Sequence, residues 1–238
     1  MCGRYAIVPD ARSWAPIGEI FSPALLAALH GIDPRYNVAP TQQVPVIYME
    51  RGTRNVVVEL ARWGFVPHWS KDLRMTASTI NARSEDAPHK PMWRDAWREA
   101  RCLIPATYWY EWQKVNAGKQ AHALSINRGE GFMFAGLMSW WKQTPDTEPV
   151  LTCAILTRAA APGIAHIHDR MPVILNPRVW EEWIDRGVTD PRQVDQMIGI
   201  NAELGAESFP IGKAIGSSKA EGPDLLKPDP PDLFSNPA

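Results

Sequence analysis

Apolar residues in this chain fall into short runs cut by Pro, Gly and Asn, and the spacing within the runs switches between helical and strand periods. Ser22-Pro23 followed by Ala-Leu-Leu-Ala-Ala-Leu predicts a short helix ending at His30, with a capping serine, a first-turn proline and Gly31 as its stop. Val44–Met49 and Asn55–Trp63 read as strands joined by a turn near Arg51-Gly52. Lys90–Arg101 carries Met92, Trp93, Ala96, Trp97 and Ala100 at spacings of three and four, which predicts an amphipathic helix. Strands are then expected at Cys102–Ile104, Thr107–Trp112, His122–Asn127, Phe132–Trp141, Val150–Thr157 and Val173–Leu175. Asn176-Pro177 caps a second amphipathic helix with Val179, Trp180, Trp183 and Ile184 on one face and Gly187 after it. A third helix is expected over Pro191–Ile200.

Many strands with few, scattered helices imply an α+β fold: a curled, mostly antiparallel, barrel-like sheet flanked by helices. No repeat at solenoid periods interrupts this picture. From Gly222 onward the chain is rich in Pro and Asp, so a single domain over 1–226 is expected, followed by a disordered tail over 227–238.

Composition changes the picture in three places. The 238 residues are 45% hydrophobic and 21% charged, and no run approaches the ~18 apolar residues of a membrane span. The first residues lack the apolar stretch of a secretion signal, so a cytoplasmic location and no membrane partner are expected. The net charge is −1, which excludes a purely electrostatic nucleic-acid binder, although residues 1–104 hold 13 Lys/Arg against 10 Asp/Glu and allow a local basic groove. Cys2, Cys102 and Cys153 cannot form an even disulfide framework and have no neighbours at metal-ligand spacing; no metal and no cofactor are expected. Trp supplies eleven of the aromatics against six Phe and five Tyr. Core packing accounts for most of them, and a stacking surface for bases is the alternative.

Four segments carry candidate chemistry. Removal of Met1 would leave Cys2 with an α-amine and a thiol on adjacent carbons. Either is a nucleophile near neutral pH with modest help, and with an aldehyde the pair closes to a five-membered thiazolidine. Equally, Cys2 is an incidental second residue. Thr107-Tyr108-Trp109-Tyr110-Glu111-Trp112 sets one carboxylate among aromatics. Strand alternation puts Trp109 and Glu111 on one face and Tyr108, Tyr110 and Trp112 on the other, so a plain solvent face for Glu111 is not obvious. A buried Glu111 would be an acid/base with a raised pKa. His166-Ile-His168-Asp169-Arg170 precedes an apolar strand and suits a general acid/base histidine better than a metal site, with a solvated loop as the plain alternative. Ile80-Asn81-Ala82-Arg83-Ser84-Glu85 offers directional hydrogen bonds through Asn81 and a phosphate fork through Arg83, and a turn cap explains Asn81 equally well.

Taken together, Met1-Cys2-Gly3-Arg4-Tyr5, Arg35-Tyr36-Asn37-Val38-Ala39-Pro40, Trp63-Gly64-Phe65-Val66-Pro67, Ile80-Asn81-Ala82-Arg83, Trp109-Tyr110-Glu111-Trp112 and Ile167-His168-Asp169-Arg170-Met171-Pro172 stand in the order and spacing of a known family. The chain resembles the SOS-response-associated peptidase family from Met1 to about Leu226. That resemblance implies a sensor of abasic sites in single-stranded DNA, including junctions with duplex. It implies a covalent crosslink through Cys2, autoproteolytic removal of Met1 as a cysteine peptidase, and weak lyase activity. By motif position, Cys2 is the nucleophile, Asn81 supports it, Glu111 is the acid/base and His168 assists opening of the sugar. Arg4, Asn37, Pro40, Trp69, Arg83, Thr157 and Arg170 map onto the family's DNA contacts. A monomer in the bacterial cytoplasm, associated with the nucleoid, is expected. One departure stands out: His68-Trp69-Ser70 replaces the two adjacent aromatics many members carry, so stacking beside the lesion would rest on Trp69 alone.

Two rival readings use the same residues. An N-terminal-nucleophile glutamine amidohydrolase also begins Met-Cys-Gly, but its Arg-Gly-Pro-Asp segment and downstream Asn-Gly donor are missing. A non-enzymatic reader of modified bases would use the Trp-rich surface without needing Cys2.

Overall fold

The computed structural model describes residues 2–10, 12–73, 79–116, 118–126, 129–199 and 205–229. Its strands are β1 (Tyr5–Ile7), β2 (Arg35–Val38), β3 (Gln43–Met49), β4 (Val56–Trp63), β5 (Asn81–Arg83), β6 (Arg101–Ala106), β7 (Tyr108–Val115), β8 (Gly118–Ile126), β9 (Phe132–Trp141), β10 (Val150–Ala159), β11 (Arg170–Pro172), β12 (Ile174–Leu175) and β13 (Ala206–Ile211). Five short helices join them: α1 (Pro16–Ile20), α2 (Pro23–His30), α3 (Arg94–Glu99), α4 (Trp180–Ile184) and α5 (Pro191–Gly199). The fold is α+β, in line with the strand-rich pattern.

Two sheets build it. In the larger, β10-β4-β3-β6-β9 runs side by side and β9 pairs back onto β10, closing a five-stranded barrel. All its pairings are antiparallel except β10 with β4. The short strands β5 and β11 add to β10, and β12 adds to β9. The smaller sheet is β13-β8-β7-β1-β2. Buried residues of both sheets share one core, which explains why β6 and β9 are nearly continuous apolar runs with no polar face. On β7 the expected alternation holds: Trp109 enters the main core, while Tyr110 belongs to a second cluster on the other side of the sheet.

Sequence signals locate the long elements and miss the short ones. Ser22 caps α2 as expected, its hydroxyl accepting from Leu25 N–H at 3.1 Å. The helix expected over Lys90–Arg101 is shorter: turns run through Pro91–Trp93, with Trp93 N and Arg94 N both bonded to Lys90 O, and the regular helix begins at Arg94. Asn176 caps a single 3-10 turn (Pro177–Val179) that leads into α4. The expected ends at Asn127 and Ile200 lie outside the described residues. So does most of the tail; Lys227–Asp229 are described, with Pro228 bridging to Ile211 and Asp229 N bonded to Pro210 O.

Tryptophan is mainly a core residue here, and most of the buried indoles have a partner for the polar end, whereas Trp97 and Trp109 Nε1 have none among the described residues. The indoles of Trp14, Trp63, Trp141, Trp180 and Trp183 donate to the carbonyls of Phe132, Ile80, Ser70, Leu175 and Cys102. Trp69 and Trp140 are the exposed exceptions, at 57% and 41% of full exposure.

Candidate functional site

Two sheets meet at the chain's second residue. β1 pairs with β7 through Tyr5↔Trp109, and Tyr110 N bonds to Arg4 O, so the segment before β1 runs beside Glu111. From the barrel side, β5 lies parallel to β10 through Ile155↔Asn81 and Thr157↔Arg83. The Trp63 indole holds the Ile80 carbonyl just ahead of it at 2.9 Å. Asn81 is thereby aimed across the junction, and its Nδ2 donates to the Cys2 carbonyl at 2.8 Å. A turn-cap role for Asn81 is thus replaced by a tertiary one. Its Oδ1 is buried with no hydrogen-bond partner among the described residues, an acceptor left over at the site.

Cys2 is fully buried, with Sγ 3.7 Å from Arg4 O. Burial pushes its thiol well above the ordinary range, and the nearby Glu111 charge pushes it further. The resting group is therefore a neutral thiol, not a thiolate. Glu111 is 3% exposed, so the solvent-facing alternative is excluded. Burial raises its carboxyl to about 7, which makes it a proton donor and acceptor in equal measure near neutrality. Glu111 Oε2 stands 3.9 Å from His168 Nε2.

His168 sits at the end of a turn, with Ile167 N and His168 N bonded to Ile164 O, and is not a fully solvated loop residue. Arg170 N–H donates to its Nδ1 at 3.0 Å, a bond accepted by the tautomer whose proton is on Nε2, the nitrogen facing Glu111. The exposed Asp169 carboxylate is 3.0 Å from the same Nδ1. Burial lowers the imidazole below its ordinary value, so the neutral form prevails at pH 7.

The remaining expected residues divide into groups. Arg170 makes a two-pronged ion pair with Glu85 (2.7 and 2.8 Å) and donates to Thr157 O at 2.7 Å. Thr157 is fully buried; Arg83, opposite it on β5, is exposed. Arg4 donates to Asn37 Oδ1 at 2.7 Å and to the carbonyls of Ile215 and Gly216. Asn37 is buried and donates to Ser217 and Ala220 carbonyls, so both residues anchor the segment after β13. Pro40 lies in a turn whose next residue, Thr41, has a φ of 76°, a strained value for a β-branched side chain. Trp69 is not brought to Cys2; it lines a separate groove with Phe65, Met92, Trp140, Arg51 and Arg186. Glu85, the partner of Arg170, stands in the Ile80–Glu85 segment that the sequence singles out, but its role is not legible there, because no local pattern marks a contact between positions 85 apart.

Among the described residues no group of three or more His, Cys, Asp or Glu is placed to hold a metal ion, and no helix is long and apolar enough to cross a membrane.

A family model described as SOS response associated peptidase (SRAP) matches residues 1–218. Abasic site processing protein YoqW of Bacillus subtilis is 32% identical over 228 residues, covering 95% of this chain and 99% of that one. Abasic site processing protein YedK of Escherichia coli is 28% identical over 198 residues, covering 82% and 84%. Among solved structures, a protein from Bacteroides thetaiotaomicron superposes with a TM-score of 0.76 over 96% of this chain and 100% of that one; at 19% identity it speaks for the fold alone.

Proposed function

Because the chain belongs to the SOS response associated peptidase family, we propose that it processes abasic sites in single-stranded DNA by trapping the sugar aldehyde on Cys2. The observation that carries this reading is the convergence on Cys2 of Asn81 at 2.8 Å and a buried Glu111 raised to about 7, itself 3.9 Å from His168.

Removal of Met1 frees the Cys2 amine. The abasic sugar is mostly a closed hemiacetal; as it opens to the aldehyde, the Nε2 proton of His168 passes to the ring oxygen while the Glu111 carboxylate takes the proton of the C1′ hydroxyl and returns it to Nε2, so the imidazole ends neutral. The amine attacks C1′; Glu111 takes a proton from nitrogen and returns one to the departing hydroxyl, releasing one water and leaving an imine. An imine at C1′ acidifies the C2′ protons and invites β-elimination, which accounts for weak lyase activity. The Cys2 sulfur then bonds to C1′ and its proton passes to the imine nitrogen, closing the thiazolidine and removing the electron sink. A neutral resting thiol fits this order: nitrogen attacks first, and sulfur gives up its proton only as the ring forms. Asn81 fixes the Cys2 backbone, and placement of this kind is worth orders of magnitude in rate.

The test is intact-mass measurement after incubation with an abasic oligonucleotide. The adduct is expected at the sum of the two masses minus one water. Cys2→Ala abolishes the heat-stable adduct, and Cys2→Ser likewise leaves only a reducible imine. A heat-stable adduct on the Cys2→Ala protein overturns the mechanism.

A further inference from the structure

Beside the acid/base pair, a cleft of about 230 Å³ is lined by Glu111, Trp112, Lys114, Lys119 and His168. Its two lysines face each other: β7 and β8 pair with Lys114 directly opposite Lys119. Like charges at directly opposed positions of an antiparallel pair repel, at a cost of several tenths of a kcal/mol or more. Among the described residues neither lysine forms an ion pair. A third cation follows close by. β13 pairs with β8 up to Ile211↔Ala121, and Lys213 comes two residues later. This end of the smaller sheet is therefore a basic edge that opens onto the proposed reaction centre.

We propose that Lys114 and Lys119 hold a backbone phosphate of the DNA strand next to the abasic sugar, so that the β7–β8 hairpin guides one arm of the strand. The inference rests on the reading that the site takes an abasic nucleotide. A sugar reacting beside Glu111 and His168 carries a phosphate on each side. One side of the site offers Arg83 and Arg170 on strands attached to β10. The lysine pair is the matching feature on the opposite sheet, and an anion seated between the two ammonium groups removes their repulsion. The strand thus crosses the junction of the two sheets, with the lesion at the crossing.

Neither lysine belongs to the acid/base machinery, so binding and chemistry separate in the test. Equilibrium binding is measured against salt with a single-stranded oligonucleotide carrying a tetrahydrofuran in place of the abasic sugar, which has no aldehyde to react. Each phosphate neutralised on a single strand contributes about 0.7 to the slope of log K against log salt. The Lys114→Gln/Lys119→Gln protein is expected to lose about 0.7 of slope, the contribution of the one phosphate the pair holds. Lys114→Arg/Lys119→Arg keeps the slope, as does Lys142→Gln, a lysine at the far end of β9. The crosslinking rate at saturating abasic strand stays unchanged. An unaltered slope in the glutamine pair, or a loss confined to the saturating rate, overturns the inference. If the wild-type protein forms no adduct while the slopes still separate, the covalent reading falls and the phosphate site stands. Adduct formation with equal slopes removes the phosphate site and leaves the covalent reading in place.

Discussion

Glu111 illustrates how one burial sets both chemistry and stability. Its carboxyl titrates at about 7 against an ordinary 4.5. Between those two values the unfolded chain has released its proton while the folded protein keeps it. Stability therefore falls as pH rises through that window and is level on either side. At ~1.4 kcal/mol per pH unit the loss amounts to about 3 kcal/mol. Glu111→Gln removes it: urea unfolding should give equal stabilities for variant and wild type at about pH 4, and a variant more stable by up to about 3 kcal/mol at about pH 8. The same variant crosslinks slowly. Equal margins at both pH values would show that the carboxyl is not held protonated. Arg170 makes the second case at this scale. Both prongs of its guanidinium are taken by Glu85, which lowers the Glu85 carboxyl in return. Glu85→Gln frees Arg170 for a phosphate, so single-strand affinity should rise several-fold and the salt slope steepen by about 0.7. Weaker binding by Glu85→Gln would instead mean that the ion pair orders the site.

Among the elements, the shortest strands matter most. β5 has three residues and places Asn81; β11 has three and places Arg170. Neither stands out by periodicity, because three residues cannot display an alternation, whereas the ten-residue β9 is legible in the sequence with its full bounds. The ends of α3 and α4 share a single side chain. Buried Arg101 donates to the carbonyls of Trp97 and Arg98 near the end of α3, and to those of Trp183, Asp185 and Val188 around the end of α4. Its guanidinium also lies 5.6 Å from the Trp183 ring. Lysine has three donors and no planar fork, so Arg101→Lys strands several of these carbonyls. A loss on the order of 3 kcal/mol is expected by thermal or urea unfolding. A loss below about 0.5 kcal/mol would show that water replaces the fork at little cost.

At the scale of the whole molecule, charge is nearly balanced, with 25 Lys/Arg against 26 Asp/Glu. Attraction to DNA must come from local groups at the sheet junction: Arg83, Arg170 once released, and the hairpin lysines. With Arg170 held by Glu85, about two phosphate contacts, one at Arg83 and one at the lysine pair, predict a slope near −1.4 for log K against log salt on an intact single strand, and about −2 once Arg170 is released. A slope steeper than about −6 would point to a far larger basic surface than these residues supply. Sequence preference should be weak, since the lesion and not the flanking bases supplies the chemistry.

The sequence by itself determined the strand-rich class, the long strands, the capped helix α2, the core role of most tryptophans and the identity of the candidate reactive residues. These rest on local period, on capping chemistry and on motifs that survive as short strings. What the tertiary structure decided is everything that depends on contact across long separations. Pairing of β5 along β10, at the junction with the smaller sheet, brings Asn81 to the Cys2 carbonyl, 79 positions away. Burial at the sheet junction turns an ordinary glutamate into one that titrates near neutrality and keeps the thiol protonated. Arg4 and Asn37, expected as DNA contacts, spend their hydrogen bonds on the segment after β13, and Trp69 lines a groove of its own. Residue type fixes which reactions are chemically open to a chain, but proton affinity and alignment are properties of the surroundings, and those exist only once the two sheets have met.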